Sequence, residues 1–162
     1  MKNITPFLWF DTQAEEAVKF YVSVIKNSKI ITTTRYTEEA AAAAGRPAGS
    51  VMTVVFQLNG QDFMALNGGP GFSFSQAISL MIKCDTQEEI DQLWEKLSEG
   101  GEKNVCGWLK DKYGVSWQVT PAVLDELMKD QEGVKRVMRA VLKMAKLDIQ
   151  KLQQAYDQRE AA

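Results

Sequence analysis

Two stretches of this chain repeat one another. "FDTQAEEAVKFY", starting at Phe10, returns in altered form as "CDTQEEIDQLW", starting at Cys84. In each, a threonine (Thr12, Thr86) stands three residues before a glutamate (Glu15, Glu89). A hydroxyl and a carboxylate at that spacing can satisfy the unpaired N–H groups of a helix start, so both stretches predict a capping box. With one residue inserted in the first copy, Ala17, Phe20, Tyr21 and Val24 match Ile90, Leu93, Trp94 and Leu97. That is the i, i+3, i+4, i+7 spacing of a buried helical stripe. Any fold for this chain has to contain the same unit twice.

The flanks repeat as well. An apolar run precedes each helix, Pro6 to Phe10 and Ile78 to Ile82, in lengths that suit strands. After the first helix, Lys29 to Tyr36, Val51 to Leu58 and Asp62 to Asn67 read as strands, with Asn59-Gly60 as a tight turn. After the second, "EGGEKN" turns the chain into Val105 to Lys110, and Tyr113-Gly114 separates that run from Val115 to Thr120. The predicted class is α+β: tandem βαβββ modules forming a curved mixed sheet with a cleft, plus a C-terminal helical extension. Module one is 1–68 and module two 76–121, a single domain over 1–121, and the extension is 122–162. Val134, Val137, Met138, Val141, Leu142 and Ala145 form one stripe of that tail, and Ile149, Leu152 and Tyr156 another. "NGGPG", from Asn67, joins strand to strand rather than strand to helix, so it reads as a module junction and not as a phosphate loop. Between Glu38 and Ser50 an alanine run favours a helical turn that Gly45, Arg46 and Pro47 end, as a connector or as a lid.

Composition narrows the function classes. The chain contains no histidine. That removes Ser-His-Asp and Cys-His nucleophile pairs, imidazole bases and the commonest transition-metal ligand. A net charge of −2 and a pI near 5.3 leave no global basic surface for nucleic acid. No leader-like or membrane-length apolar run is present, so the expectation is a cytoplasmic protein with no membrane partner. Cys84 and Cys106 lie in no CxxC or metal-type cluster.

Two βαβββ modules in tandem resemble the vicinal oxygen chelate superfamily, the fold of glyoxalase I, extradiol dioxygenases and bleomycin-resistance proteins. "ITPFLWFDTQAEEAVKFY", "FMALNGGP", "AISLMIKCDTQEEIDQLW" and "CGWLKDKYGVSWQVTP" resemble its PhnB-like family, often labelled demethylubiquinone methyltransferase-like, and the likeness is taken to extend over the helical tail. The resemblance implies a cleft holding a divalent metal and assembly as a homodimer. In the final strand Asp111 and Gly114 fit the superfamily pattern, but Gln118 stands where the ligand carboxylate would be. The other ligand positions fall near Pro6 and near Ala77 and Ile78, so no metal and no other cofactor is expected. The "FDTQAEE" junction lacks the glycine-rich turn of common methyltransferases, which makes methyl transfer an unfavoured reading.

Strand alternation then nominates the ligand-binding residues. Gln118 implies Ser116 and Thr120 on the cleft side with Trp117 behind, and Pro6 implies Leu8 and Phe10. Asn67, Ser79, Cys106 and Trp108 complete the set, Cys106 also reading as a structural thiol. The expected function is binding of a small hydrophobic or aromatic molecule in a metal-free cleft. The alternatives are a superfamily isomerase, lyase or ring-modifying enzyme and a dimeric interaction protein with a vestigial cleft.

Overall fold

A computed structural model describes residues 4–129 and 131–158. Residues 1–3 of module one, and 130 and 159–162 of the tail, lie outside the described residues. The chain divides into two compact units, Met1–Phe74 and Ser75–Ala162, so the tail groups with the second module.

In the first unit, β1 (Phe7–Phe10), α1 (Ala14–Val24), β2 (Lys29–Arg35), α2 (Glu38–Ala44), β3 (Val51–Leu58) and β4 (Gln61–Asn67) follow one another. The sheet order is β1-β4-β3-β2, with β1 parallel to β4 and the other pairs antiparallel. Asn59 and Gly60 both take positive φ, 46° and 82°, the two-residue turn whose twist suits a hairpin. That turn sets Leu58 against Gln61 and Phe56 against Phe63. Val54, Phe56, Phe63 and Ala65 are buried with Ala14, Ala17, Val18 and Tyr21 of α1. The register puts Leu8 beside Ala65 and Phe10 beside Asn67, so these residues share the helix-facing side. Phe7, Trp9, Val55, Met64 and Leu66 occupy the opposite side.

The second unit repeats this plan with β5 (Leu80–Cys84), α3 (Gln87–Ser98), β6 (Glu102–Lys103), β7 (Trp108–Lys110) and β8 (Ser116–Pro121), in the order β5-β8-β7-β6. The α+β class expected is thus present as two four-stranded mixed sheets, one in each unit. β6 lies inside "EGGEKN", where the sequence signalled only a turn, because a two-residue strand is too short for an alternation pattern. Trp117, Val119 and Leu109 pack with Ile90, Trp94 and Leu97 as the core of this unit.

Only one of the two predicted capping boxes forms. Thr86 Oγ1 accepts from the Glu89 N–H at 3.2 Å, and Glu89 Oε2 accepts from the Asp85 N–H at 3.1 Å. α1 has Gln13 at its N-cap with no capping side chain of its own. Instead Asn67 Oδ1, at the end of β4, accepts the Ala14 N–H at 2.8 Å, while Asn67 Nδ2 donates to the Val51 carbonyl at 3.0 Å. The Tyr36 hydroxyl donates to the Asn67 carbonyl at 2.7 Å. The junction next to it depends on a missing side chain: a Cβ on Gly68 would lie 2.2 Å from the Trp9 ring, whose Nε1 donates to the Gly69 carbonyl.

The segment between β2 and β3 is a pinned helix. Thr37 caps α2, Gly45 closes it at φ +64°, and the Arg46 guanidinium pairs with Asp11 at 2.8 Å. In the tail, α4 (Leu124–Leu127), α5 (Gln131–Val141) and α6 (Ile149–Asp157) surround a core of Leu127, Val137, Val141, Leu147 and Leu152. The expected stripe runs too far, since α5 ends at Val141 and Leu142 is 64% exposed.

Replacing Asn67 by Ala leaves a buried N–H and a buried carbonyl without their partner, an expected loss of about 2–3 kcal/mol in a urea titration. A loss under about 0.5 kcal/mol, the size of an ordinary surface change, would remove Asn67 from this role.

Candidate functional site

In the second unit the register gathers the nominated side chains. Gln118 lies beside Met81 on β5 and Trp108 on β7, on the sheet face turned away from α3. Gln118 Nε2 donates to Ser79 Oγ at 2.8 Å, which fixes the amide so that its oxygen is left as an acceptor. Ser116 and Thr120 share that face and are buried, while Trp108, Gln118 and Ser79 are half-buried. Trp117 lies behind, as alternation requires, with Nε1 donating to Asp111 Oδ2 at 2.7 Å.

Asp111 has a different use from the one its pattern suggests. It is 2% exposed, and its Oδ1 accepts the N–H groups of Tyr113 and Val115 at 2.9 and 3.0 Å. The carboxylate thus builds the β7–β8 turn, which Gly114 completes at φ +89°.

Three nominated residues face elsewhere. Leu8 and Phe10 point to the helix side, so the face expected of them is corrected to Phe7 and Trp9. β1 is apolar at every position, so it shows no alternation from which to read its face. The Asp-Thr-Gln repeat carries the missing signal, because it aligns Phe10 with Cys84, which is buried beside α3. Asn67 has both ends of its amide committed to the α1 cap and β3.

Cys106 sits under the tail. Its N–H donates to the Met144 carbonyl at 2.7 Å, the next N–H, of Gly107, donates to that of Ala145 at 2.8 Å, and Cys106 packs on the tail core. At Gly107 (φ +81°) a Cβ would meet the Val119 carbonyl at 2.7 Å, so only glycine allows this docking. Gln87 ties the same region down, donating to the Leu147 carbonyl and accepting from the Ile149 N–H. Lys146 pairs with Asp91 at 2.7 Å and holds its carboxyl below the usual range.

The family model described as 3-demethylubiquinone-9 3-methyltransferase matches residues 2–120. The chain belongs to this PhnB-like family. A PhnB protein from Bacillus cereus is 40% identical over 75% of this chain and 100% of its own, with a TM-score of 0.67. Protein PA1353 from Pseudomonas aeruginosa is 20% identical over 75% of this chain and 98% of its own (TM-score 0.59). A fosfomycin resistance protein, FosX, from Listeria monocytogenes, complexed with Mn(II) and sulfate, is 16% identical over 79% and 98% (TM-score 0.55). These last two likenesses show the fold alone. A comparison with curated proteins found no match. The PhnB-like likeness was expected to include the helical tail, but the family match stops at residue 120.

Among the described residues, the donors around Gln118 do not fit a divalent metal. Among the described residues no group of three or more His, Cys, Asp or Glu converges. Around Gln118 the oxygen donors are the neutral ones of Ser79, Ser116, Thr120 and Gln118 itself; Glu102, opposite Lys110 on the same face, is paired with that lysine at 2.5 Å, and Asp111 is spent in its turn. Neutral oxygens without carboxylate or imidazole partners hold such ions weakly. Also among the described residues, no helix is long and apolar enough to cross a membrane.

Neither thiol is presented as a nucleophile by this geometry. Burial, with the nearby Glu89 and Asp85 charges, pushes the Cys84 thiol up to about 11. An unfolded Cys84 loses its proton near pH 9 and the folded one near 11, so between these values the unfolded state binds fewer protons and stability falls as pH rises. Cys84→Ala should flatten that alkaline slope. Iodoacetamide at pH 8 should modify Cys84 only after unfolding, as read by peptide mass mapping. Native modification at the rate of a free thiol would contradict its burial.

Proposed function

We propose that this PhnB-like protein binds a small hydrophobic or aromatic molecule without a metal, on the face of the second sheet turned away from α3. The carrying observation is the grouping of Trp108, Met81 and the Gln118–Ser79 pair on one face of the second sheet. The indole and thioether offer apolar contact, and one oriented amide oxygen can accept a ligand N–H or O–H. The first unit carries a comparable face in Phe7, Trp9, Val55, Met64 and Leu66.

The family's description names a methyltransferase, but the fold does not favour methyl transfer here. The sheets are small and mixed rather than doubly wound and parallel, and the first strand-to-helix junction, "FDTQAEE", has no glycine. A homodimer and a cytoplasmic location belong to the same reading. Supporting the dimer, all seven residues of edge strand β2 are exposed, Ile30 and Ile31 among them. Light scattering at micromolar concentration should give twice the chain mass, and a monomer would end that part of the reading.

N-phenyl-1-naphthylamine, a neutral fluorescent probe, should bind one site per chain. Trp108→Ala should weaken it by about tenfold, the scale of one lost aromatic contact. Absence of binding, or binding untouched by Trp108→Ala and Gln118→Ala alike, would overturn the proposal. So would a stoichiometric Zn, Mn, Ni or Fe, in protein purified without chelators, that is lost on Gln118→Ala.

A further inference from the structure

α5 carries two faces. Val137 and Val141 are buried in the tail core, while Arg136 and Arg139 stand three apart on the neighbouring face and Lys143 follows in the turn after the helix. Lys151, near the start of α6, joins them to line one groove of about 630 Å³. Ala140 and Met144 add apolar lining. Among the described residues the ionisable groups of this groove are all cationic, on a chain whose net charge is −2.

Arg136 is already positioned. Its Nε and Nη2 donate to the Tyr156 carbonyl at 3.2 and 2.8 Å, and the guanidinium lies over the Tyr156 ring, 6.0 Å from its centre. A cation held this way loses little further freedom when a ligand arrives. Lys151 also lies 3.7 Å from the Asp148 carboxylate, and a bound anion would add to that attraction. Guanidinium groups match phosphate oxygens in pairs, and lysines add point charge. The volume is that of a small-molecule site.

We propose that the groove between α5 and α6 is a binding site for a small polyanion carrying two or more phosphate groups. It lies beyond the family match, which stops at residue 120, and shares no residue with the sheet faces. Nucleic acid is the less favoured occupant, because four cations in one short groove give no extended track along a phosphate backbone.

The test is calorimetric titration of the full chain with sodium tripolyphosphate and with ATP at 50 mM NaCl. One site per chain is expected for each, weakening several-fold at 200 mM NaCl as screening rises. The double charge reversal Lys143→Glu with Lys151→Glu, at two exposed positions, should weaken binding by at least about tenfold while circular dichroism is unchanged. Should the reversal unfold the tail, Lys143→Gln with Lys151→Gln reads the same effect at smaller size. Trp108→Ala should leave tripolyphosphate binding as it is. No heat with either probe, an affinity indifferent to both lysine pairs, or binding only to duplex DNA or phosphatidylserine vesicles would overturn the proposal.

Discussion

The first unit depends on one buried amide. Asn67 ends β4, caps α1 through its oxygen, holds β3 through its nitrogen, and receives the Tyr36 hydroxyl on its own carbonyl. Helix, two strands and the entry to α2 thereby meet at one residue. Gly68 and Gly69 follow because Trp9 lies where a Cβ on Gly68 would be, and the indole then bonds to the Gly69 carbonyl. The glycine-rich junction answers to this packing rather than to any ligand. In the second unit a buried carboxylate does comparable work, with Asp111 binding the β7–β8 turn to Trp117.

These two commitments bear on the metal that the family resemblance implied. The acid that fits the family's strand pattern is spent inside its own turn, and the position that would supply a ligand carboxylate is Gln118, fixed by Ser79. Trp108 and Met81 flank Gln118, while Lys110 and Lys83, beside Ser116 and Thr120 on the same face, are paired with Glu102 and Asp125. In the helical tail, Arg136, Arg139, Lys143 and Lys151 line one groove, while Val137 and Val141 are buried in the core.

Much of this was legible in the letters. The Asp-Thr-Gln repeat gave two modules, and Asn59-Gly60 determined the β3–β4 register to the residue. Parity around Gln118 placed Ser116, Trp117 and Thr120 on their observed sides. The failures share a cause, which is that local pattern does not record long-range partners. Thr12 and Glu15 have the letters of a capping box, yet Asn67, distant in sequence, supplies the bond. Leu8 and Phe10 were assigned the wrong face because β1 is apolar throughout and only its pairing with β4 orients it. Of the two readings of Cys106, pocket residue and structural thiol, its packing under the tail favours the second, and Leu147 enters the tail core from outside any helix.

The central claim is that the β8 face receives an aromatic molecule where the superfamily often holds a metal. The most direct measurement is a crystal structure after soaking with neutral 1-naphthol, with anomalous data collected at the Mn, Fe, Ni and Zn edges. The account predicts planar density against Trp108, a hydroxyl bonded to the Gln118 amide oxygen, and no anomalous peak within coordination distance. An anomalous peak on Gln118 or Ser79, or a face that stays empty while binding in solution is saturated, would contradict it.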